Sequence, residues 1–237
     1  MSVLDADGFF DRGLLRALGR AASPGFAAAK PFPHAVFDDF LPDGVASGLA
    51  RDFPTADHPA YRVRDHAEQK RFAQLQRGGF VGVAPSIRRL LSELCGMAFL
   101  DFLGELSGTR GLIADPHFRG AGPLLTPPGG HLAMHVDFDR DRTRRLARSL
   151  TALLYLPTEW DASWGGELEL HPDGDGEPKR FAPLRNRLVV LSHGETHWHG
   201  QPNPVAMEAR TSRAVVASYY YVVAEDDGEG HSAIWRS

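Results

Sequence analysis

Apolar positions follow two different periods along this chain, and the changeover falls near residue 110. Between Pro85 and Gly108, Ile87, Leu90, Leu91, Leu94, Cys95, Ala98, Phe99, Phe102, Leu103 and Leu106 recur every three or four residues. That spacing lays one apolar stripe on a helix, so a single long helix is predicted here, bracing the remainder of the fold. Cys95 lies on the stripe and is expected to be a packing residue with an inert thiol. A shorter helix is predicted over Gly8 to Arg20, where Phe10, Leu14, Leu15 and Leu18 share a side, although Gly13 weakens it. Ala21 to Pro33 collects Ala, Gly and Pro as a mobile connector would. His34 to Leu41 has the pattern of a strand running into Pro42-Asp43, where another helix places Val45, Leu49 and Phe53 together and Pro54 stops it. Residues 55–83 are polar and weakly patterned; they predict only a strand around Gly78 to Val83, and no function.

From Gly111 onward the period becomes two. Leu112 to Asp115, Leu124 to Thr126, Leu132 to Phe138, Leu150 to Leu156, Glu167 to His171, Leu188 to Leu191 and Ala214 to Val223 are short runs separated by Gly, Pro, Asn and Asp. Many short strands with such turns indicate a sandwich or barrel. Arg148 to Trp160 is almost uninterruptedly apolar, as a strand covered on both faces is. After Trp164-Gly165-Gly166, Leu168 and Leu170 are expected to point inward and Glu167 and Glu169 outward into solvent. The stretch after Ala224 is acidic and is expected to be loose. The whole reads as one α+β, mainly β domain over 1–237: a helix and connector (1–33), a helical support region (34–109), a β core (110–223) and a tail (224–237).

Composition narrows the function classes. The chain has 237 residues, 43% of them hydrophobic and 24% charged, so it can bury a sizeable core and is not a disordered polymer. A formal net charge of −4 offers no global basic field to nucleic acid. The single cysteine excludes an intramolecular disulfide, and no run approaches the roughly 18 apolar residues of a membrane helix. Acids where a signal peptide carries positive charge complete the expectation of a cytoplasmic protein with no membrane or nucleic-acid partner.

The candidate chemistry begins at His131 to Asp139. On a strand, successive side chains alternate faces, so His135 and Asp137 point the same way and can share one metal ion. Phe138 would then give the strand an opposite, apolar face. Pro127-Pro128-Gly129-Gly130 just before it allows a close approach of the chain. A third ligand is available from His193, His197 or His199, which strand parity cannot separate. His199 is favoured because Gly200 follows it and Trp198 precedes it, giving a close backbone approach beside an aromatic wall. Two His and one carboxylate on one side of a metal is the arrangement of non-haem Fe(II) oxygenases. Downstream, Arg213 should share an inward face with Val215, Ala217, Tyr219 and Tyr221, where an unpaired charge is too costly to leave without a partner. A carboxylate co-substrate would pair it, whereas Arg210, after Glu208, is expected in solvent. Tyr155 and Thr151 share a parity and can place hydroxyls inside. The run Arg140, Arg142, Arg144, Arg145 and Arg148 is read as a solvated loop with internal charge pairing, the alternative being a grip on an acidic substrate.

His135-Val136-Asp137-Phe138, Arg148 to Leu156, Trp160 to Leu170 with Gly165-Gly166, Asn186 to Val190, Trp198-His199-Gly200 and Arg213 together resemble the prolyl-4-hydroxylase-type branch of the Fe(II)/2-oxoglutarate oxygenases. The resemblance spans roughly residues 110–223 in order, and Pro33 to Pro54 is similar to the lead-in of bacterial members. It implies a double-stranded β-helix, or jelly roll, whose core binds Fe(II) through His135, Asp137 and His199. It also implies 2-oxoglutarate held at its far carboxylate by Arg213, with Tyr155 and Thr151 assisting. O2 is the second co-substrate and ascorbate an accessory reductant. The co-substrate becomes succinate while an unactivated C–H bond is hydroxylated, on a prolyl or other amino-acid residue, whether free, within a peptide or in a natural product. The chain departs from the family before the His-X-Asp strand, where Leu124, Leu125 and two prolines replace the usual aromatic or polar residue. Two other readings stand beside this one: a cupin-like metalloenzyme without 2-oxoglutarate, and a non-enzymatic ligand-binding jelly roll.

Overall fold

The structure is a computed structural model describing residues 2–75, 82–141, 143–225, 228 and 230–236. Helix α1 (Arg12–Ala28) opens on Asp11, whose side chain accepts from the Leu14 amide at 2.8 Å and caps the first turn. It runs through Pro24, so most of the expected connector is helical. The reason is packing: Phe26 is buried, and a Cβ on Gly19 would lie 2.5 Å from the Phe102 carbonyl of a helix crossing it. Strand β1 (His34–Phe37) and helix α2 (Asp43–Arg51) follow as expected, except that Val45 is exposed on the outer side of α2.

Region 55–83 holds strands β2 (Tyr61–Arg64), β3 (Gln69–Lys70) and β4 (Phe72–Leu75), so 34–109 is not purely helical. The strand expected around Gly78 to Val83 falls largely outside the described residues. The predicted long helix is two: α3 (Pro85–Leu94) and α4 (Met97–Ser107). Gly96 between them is extended, at φ −79° and ψ 162°, and the stripe survives the break because both helices bury it. The Gly108 C-cap, at φ 74°, ends α4 in the left-handed region.

The β core comprises β5 (Ile113–Ala114), β6 (Gly122–Thr126), β7 (His131–Val136), β8 (Arg140–Asp141), β9 (Leu146–Tyr155), β10 (Leu168–His171), β11 (Lys179–Phe181), β12 (Leu188–Ser192), β13 (Trp198–Gln201), β14 (Arg213–Val223) and β15 (Ile234–Trp235). They form two sheets. The larger runs β1-β12-β9-β14-β6-β4-β2, with β5 and β8 at its margins; the smaller runs β11-β10-β13-β7-β15, with β3 also on β7. All the pairings are antiparallel, as a jelly roll requires.

The helices cover the outer face of the larger sheet. The Tyr220 ring of β14 lies tilted against Phe99 at 5.9 Å and its hydroxyl donates to the Leu94 carbonyl, while Phe37 meets Phe102 edge-on at 5.4 Å. Asn186, at φ 68°, ties the lead-in to this sheet by accepting from the Leu41 amide and donating to the Leu41 carbonyl. Two further expectations are corrected. Glu169 is buried rather than solvated, because Arg180, His171 and Asn203 surround its carboxylate. The tail is not wholly loose: β15 pairs Ile234 with Val136 and Trp235 with His135.

Candidate active site

Between the two sheets lies a cavity of about 400 Å³, and the inward faces of β7, β9, β13 and β14 supply its floor. His135 and Asp137 stand two residues apart at the end of β7, and β13 brings His199 directly opposite His135. Gly200 makes this possible, since a Cβ there would sit 2.7 Å from the Ala133 carbonyl. One ligand atom from each of His135, Asp137 and His199 lies within 4.8 Å of the others.

Hydrogen bonds to the backbone fix both imidazoles. His135 Nδ1 lies 2.9 Å from the Ala133 carbonyl, and His199 Nδ1 lies 3.0 Å from the His197 carbonyl. A carbonyl only accepts, so each Nδ1 carries a hydrogen, and the neutral form of each ring turns a lone pair on Nε2 toward the carboxylate. Those Nε2 atoms are 3.7 and 3.5 Å from the Asp137 oxygens. Two lone pairs and an anion facing one another repel unless a cation lies among them. The donor set therefore fits a divalent transition metal, with both outer nitrogens anchored as metal-binding His require.

Asp137 is further held by a residue that the sequence reading left in a solvated loop. Arg148 is buried, with Nη1 2.6 Å from Asp137 Oδ2. Its guanidinium lies between Phe138 and Tyr219, 4.0 and 3.5 Å from the ring centroids. Phe138 thus lines the cavity instead of facing away. Burial alone would raise the Asp137 carboxyl, but the adjacent Arg148 charge outweighs it and holds the pKa well below the usual range. The other basic residues of this run divide: Arg144 pairs with Asp115 and Asp141, and Arg140 approaches Asp139.

Of the competing histidines, His197 stacks on Phe32 at 4.4 Å with Nδ1 on the Ser192 carbonyl, away from the cluster. His193 follows β12, and burial with the nearby Arg148 charge pushes its pKa down to about 4. Trp235, missed in the sequence because its partner is a hundred residues away, packs its ring 4.9 Å from His135.

At the other end of the floor, Arg213 is buried on β14. Its Nε donates to the Gly166 carbonyl at 2.9 Å and Nη2 to the Tyr155 hydroxyl at 3.0 Å. Gly166, at φ 69° beside Trp160, turns that carbonyl inward. Among the described residues no carboxylate ion-pairs with Arg213, so its charge faces the cavity uncompensated. Thr151 lines the cavity on the neighbouring strand. Thr126, paired with Arg213 across the ladder, has a buried hydroxyl without a partner and was not foreseen. Arg210 is exposed, 3.6 Å from Glu159, as expected of a solvated residue.

Residues 123–221 match the family model described as the 2OG-Fe(II) oxygenase superfamily. The chain thus carries a domain of that superfamily and is a 2-oxoglutarate-dependent dioxygenase, using Fe(II), 2-oxoglutarate and O2. The non-enzymatic jelly roll and the 2-oxoglutarate-independent cupin are set aside with this match. No curated protein matches the chain. Among solved structures, it is similar to a prolyl-4-hydroxylase from Pseudomonas putida, at 21% identity and TM-score 0.61 over 86% of this chain and 98% of that one. It is also similar to a Trichoplax adhaerens prolyl hydroxylase in complex with a hypoxia inducible factor peptide fragment, at 15% identity and TM-score 0.62 over 88% and 91%. A third is the epimerase SnoN in complex with Fe3+, alpha ketoglutarate and nogalamycin RO, at 15% identity and TM-score 0.57 over 96% and 88%. At these identities the likenesses establish the shared fold. No helix among the described residues is long and apolar enough to cross a membrane.

Proposed function

We propose that His135, Asp137 and His199 hold the Fe(II), that Arg213 with Tyr155 and Thr151 holds the far carboxylate of 2-oxoglutarate, and that the product is a hydroxylated amino-acid residue. The observation that carries this is the pairing, on one cavity floor, of a converging His-Asp-His set with a buried arginine that no carboxylate among the described residues ion-pairs. When bound, the iron supplies O2 activation coupled to decarboxylation of 2-oxoglutarate. The protein's own groups position and exclude. The Ala133 and His197 carbonyls fix the imidazole tautomers, Arg148 orients Asp137, and Trp235 covers the outer side of His135. Arg213 sets the direction in which the co-substrate lies by a charge-assisted pair. Leu124, Leu153, Leu168 and Val215 give the floor apolar walls that keep water off the reacting C–H bond.

The prolyl hydroxylases with the same fold support a prolyl or other amino-acid residue as substrate. The test is succinate formation from 2-oxoglutarate by purified protein with Fe(II), ascorbate and O2, with and without chelator. Chelator-sensitive succinate is expected. Absence of both succinate and 2-oxoglutarate binding to the iron-loaded protein would remove the assignment.

A further inference from the structure

The outer wall of the cavity is built by β2, β3 and β4, the stretch whose sequence predicted no function. Arg64 at the end of β2 reaches the cavity together with Gln69 and Gln74. Its Nη1 donates to Gln69 Oε1 at 3.0 Å and its Nη2 to Gln74 Oε1 at 3.1 Å. Nε is buried with no partner. A guanidinium has five N–H donors and no acceptor, so one N–H on each terminal nitrogen is also left over. Among the described residues no carboxylate ion-pairs with Arg64, nor with Arg119, which lines the same wall and is exposed. Both glutamines turn their oxygens to Arg64. The wall thus brings two guanidinium charges to the cavity, although the chain as a whole is acidic.

Register relates this wall to the co-substrate end. Arg64 pairs with Phe72. Next to Phe72, Ala73 pairs with Leu125; next to Leu125, Thr126 pairs with Arg213. The two arginines thus stand close to one row of the same sheet, three strand spacings apart, or roughly 14 Å between backbones at the usual interstrand distance. Both point to the inward face. A single dicarboxylate on Arg213 leaves the second charge unmatched.

We propose that Arg64, with Arg119 beside it, binds a carboxylate of the primary substrate, so that this enzyme acts on an acid: a free amino-acid derivative or a peptide's C-terminal residue. An internal residue of a protein chain lacks that group. This rests on the proposed placing of 2-oxoglutarate at Arg213, and it adds a second, independent anion position. The buried Nε with its partnerless hydrogen marks the point of attachment, because leaving a buried donor unmade is costly while a charge-assisted bond there is strong.

The experiment is anaerobic equilibrium binding to protein loaded with Fe(II) and 2-oxoglutarate. The probes are N-acetylated amino acids, N-acetyl-proline first, each as the free acid and as its neutral amide, with tripeptides ending in the same residue, acid and amide. At least one free acid is expected to bind about tenfold tighter than its amide, the size of one charge-assisted bond. Preference confined to the amino acids identifies a small-molecule substrate; preference shared by the tripeptides identifies a chain end. R64Q is expected to reduce the acid-to-amide ratio to about one. R119Q, at an exposed position that the fold tolerates, is expected to weaken the acids several-fold and leave the amides alone, and it carries the test if R64Q does not fold. If no acid outbinds its amide, or the preference persists in the variants, the inference is overturned. If 2-oxoglutarate itself fails to bind the iron-loaded wild type, both this inference and the reading it rests on fall; if it binds and only the acid preference is missing, Arg64 alone loses its role.

Discussion

The floor of the cavity and its outer wall use similar polar residues in opposite ways. On the floor, Asp137 sits between two anchored imidazoles and a buried guanidinium, and each outer imidazole nitrogen has a backbone carbonyl. On the wall, Arg64 is steadied by two neutral amides, and no carboxylate among the described residues balances its charge. A group that must hold the same ion in every turnover is fixed from several sides before the ion arrives. A group that meets a molecule which comes and goes keeps its donors open.

The comparison breaks first at Asp137. Asp137→Ala is expected to remove tight iron binding and succinate formation, a loss beyond the ~100-fold typical of outer-shell changes, while far-ultraviolet circular dichroism stays native. Persistent wild-type turnover in this variant would mean that the ligand set is wrong. Arg148→Met should cost about 10- to 100-fold in iron affinity or activity, because it leaves a buried carboxylate without its cation. With Arg148 gone, burial dominates and raises the Asp137 carboxyl, so the loss should be deepest at the acid end of a pH series and shrink as pH rises. An equal loss at every pH would assign Arg148 a packing role only.

Arg213→Ala tests the co-substrate end of the floor. Its apparent KM for 2-oxoglutarate should rise about tenfold to a hundredfold, with iron binding retained. An unchanged value would move the role to another cation. The smallest effect is expected at Cys95, whose thiol is pushed up to about 11 by burial and by nearby Asp115. Below that value it stays protonated, so alkylation by iodoacetamide at pH 8 should be far slower than for an exposed thiol.

The floor was legible in the sequence because its logic is local. His135 and Asp137 need only the two-residue period of a strand, and Arg213 needs only the inward parity it shares with Val215, Ala217 and Tyr219, all of which line the cavity. Gly200 marked the close approach that singles out His199. The wall was illegible for the converse reason. Arg64, Gln69 and Gln74 are polar residues facing an interior, and a polar residue facing a wet cavity has the same pattern as one facing bulk solvent. Arg148 was lost in its basic run in the same way, and so was Glu169, whose partners come from β11 and from Asn203. Periodicity reports which side chains share a face but not what covers that face. The split at Gly96 shows a related limit, since the stripe on α3 and α4 continues across a bend that the period does not register.

The short strand β15 bears on how firmly His135 is covered. A ladder of two residues at a sheet edge belongs to the least protected part of a fold and opens far more often than the global unfolding equilibrium allows. Each opening takes the Trp235 indole off His135 and admits water to one flank of the metal position. Opening of this one edge therefore uncovers His135 while the core stays intact.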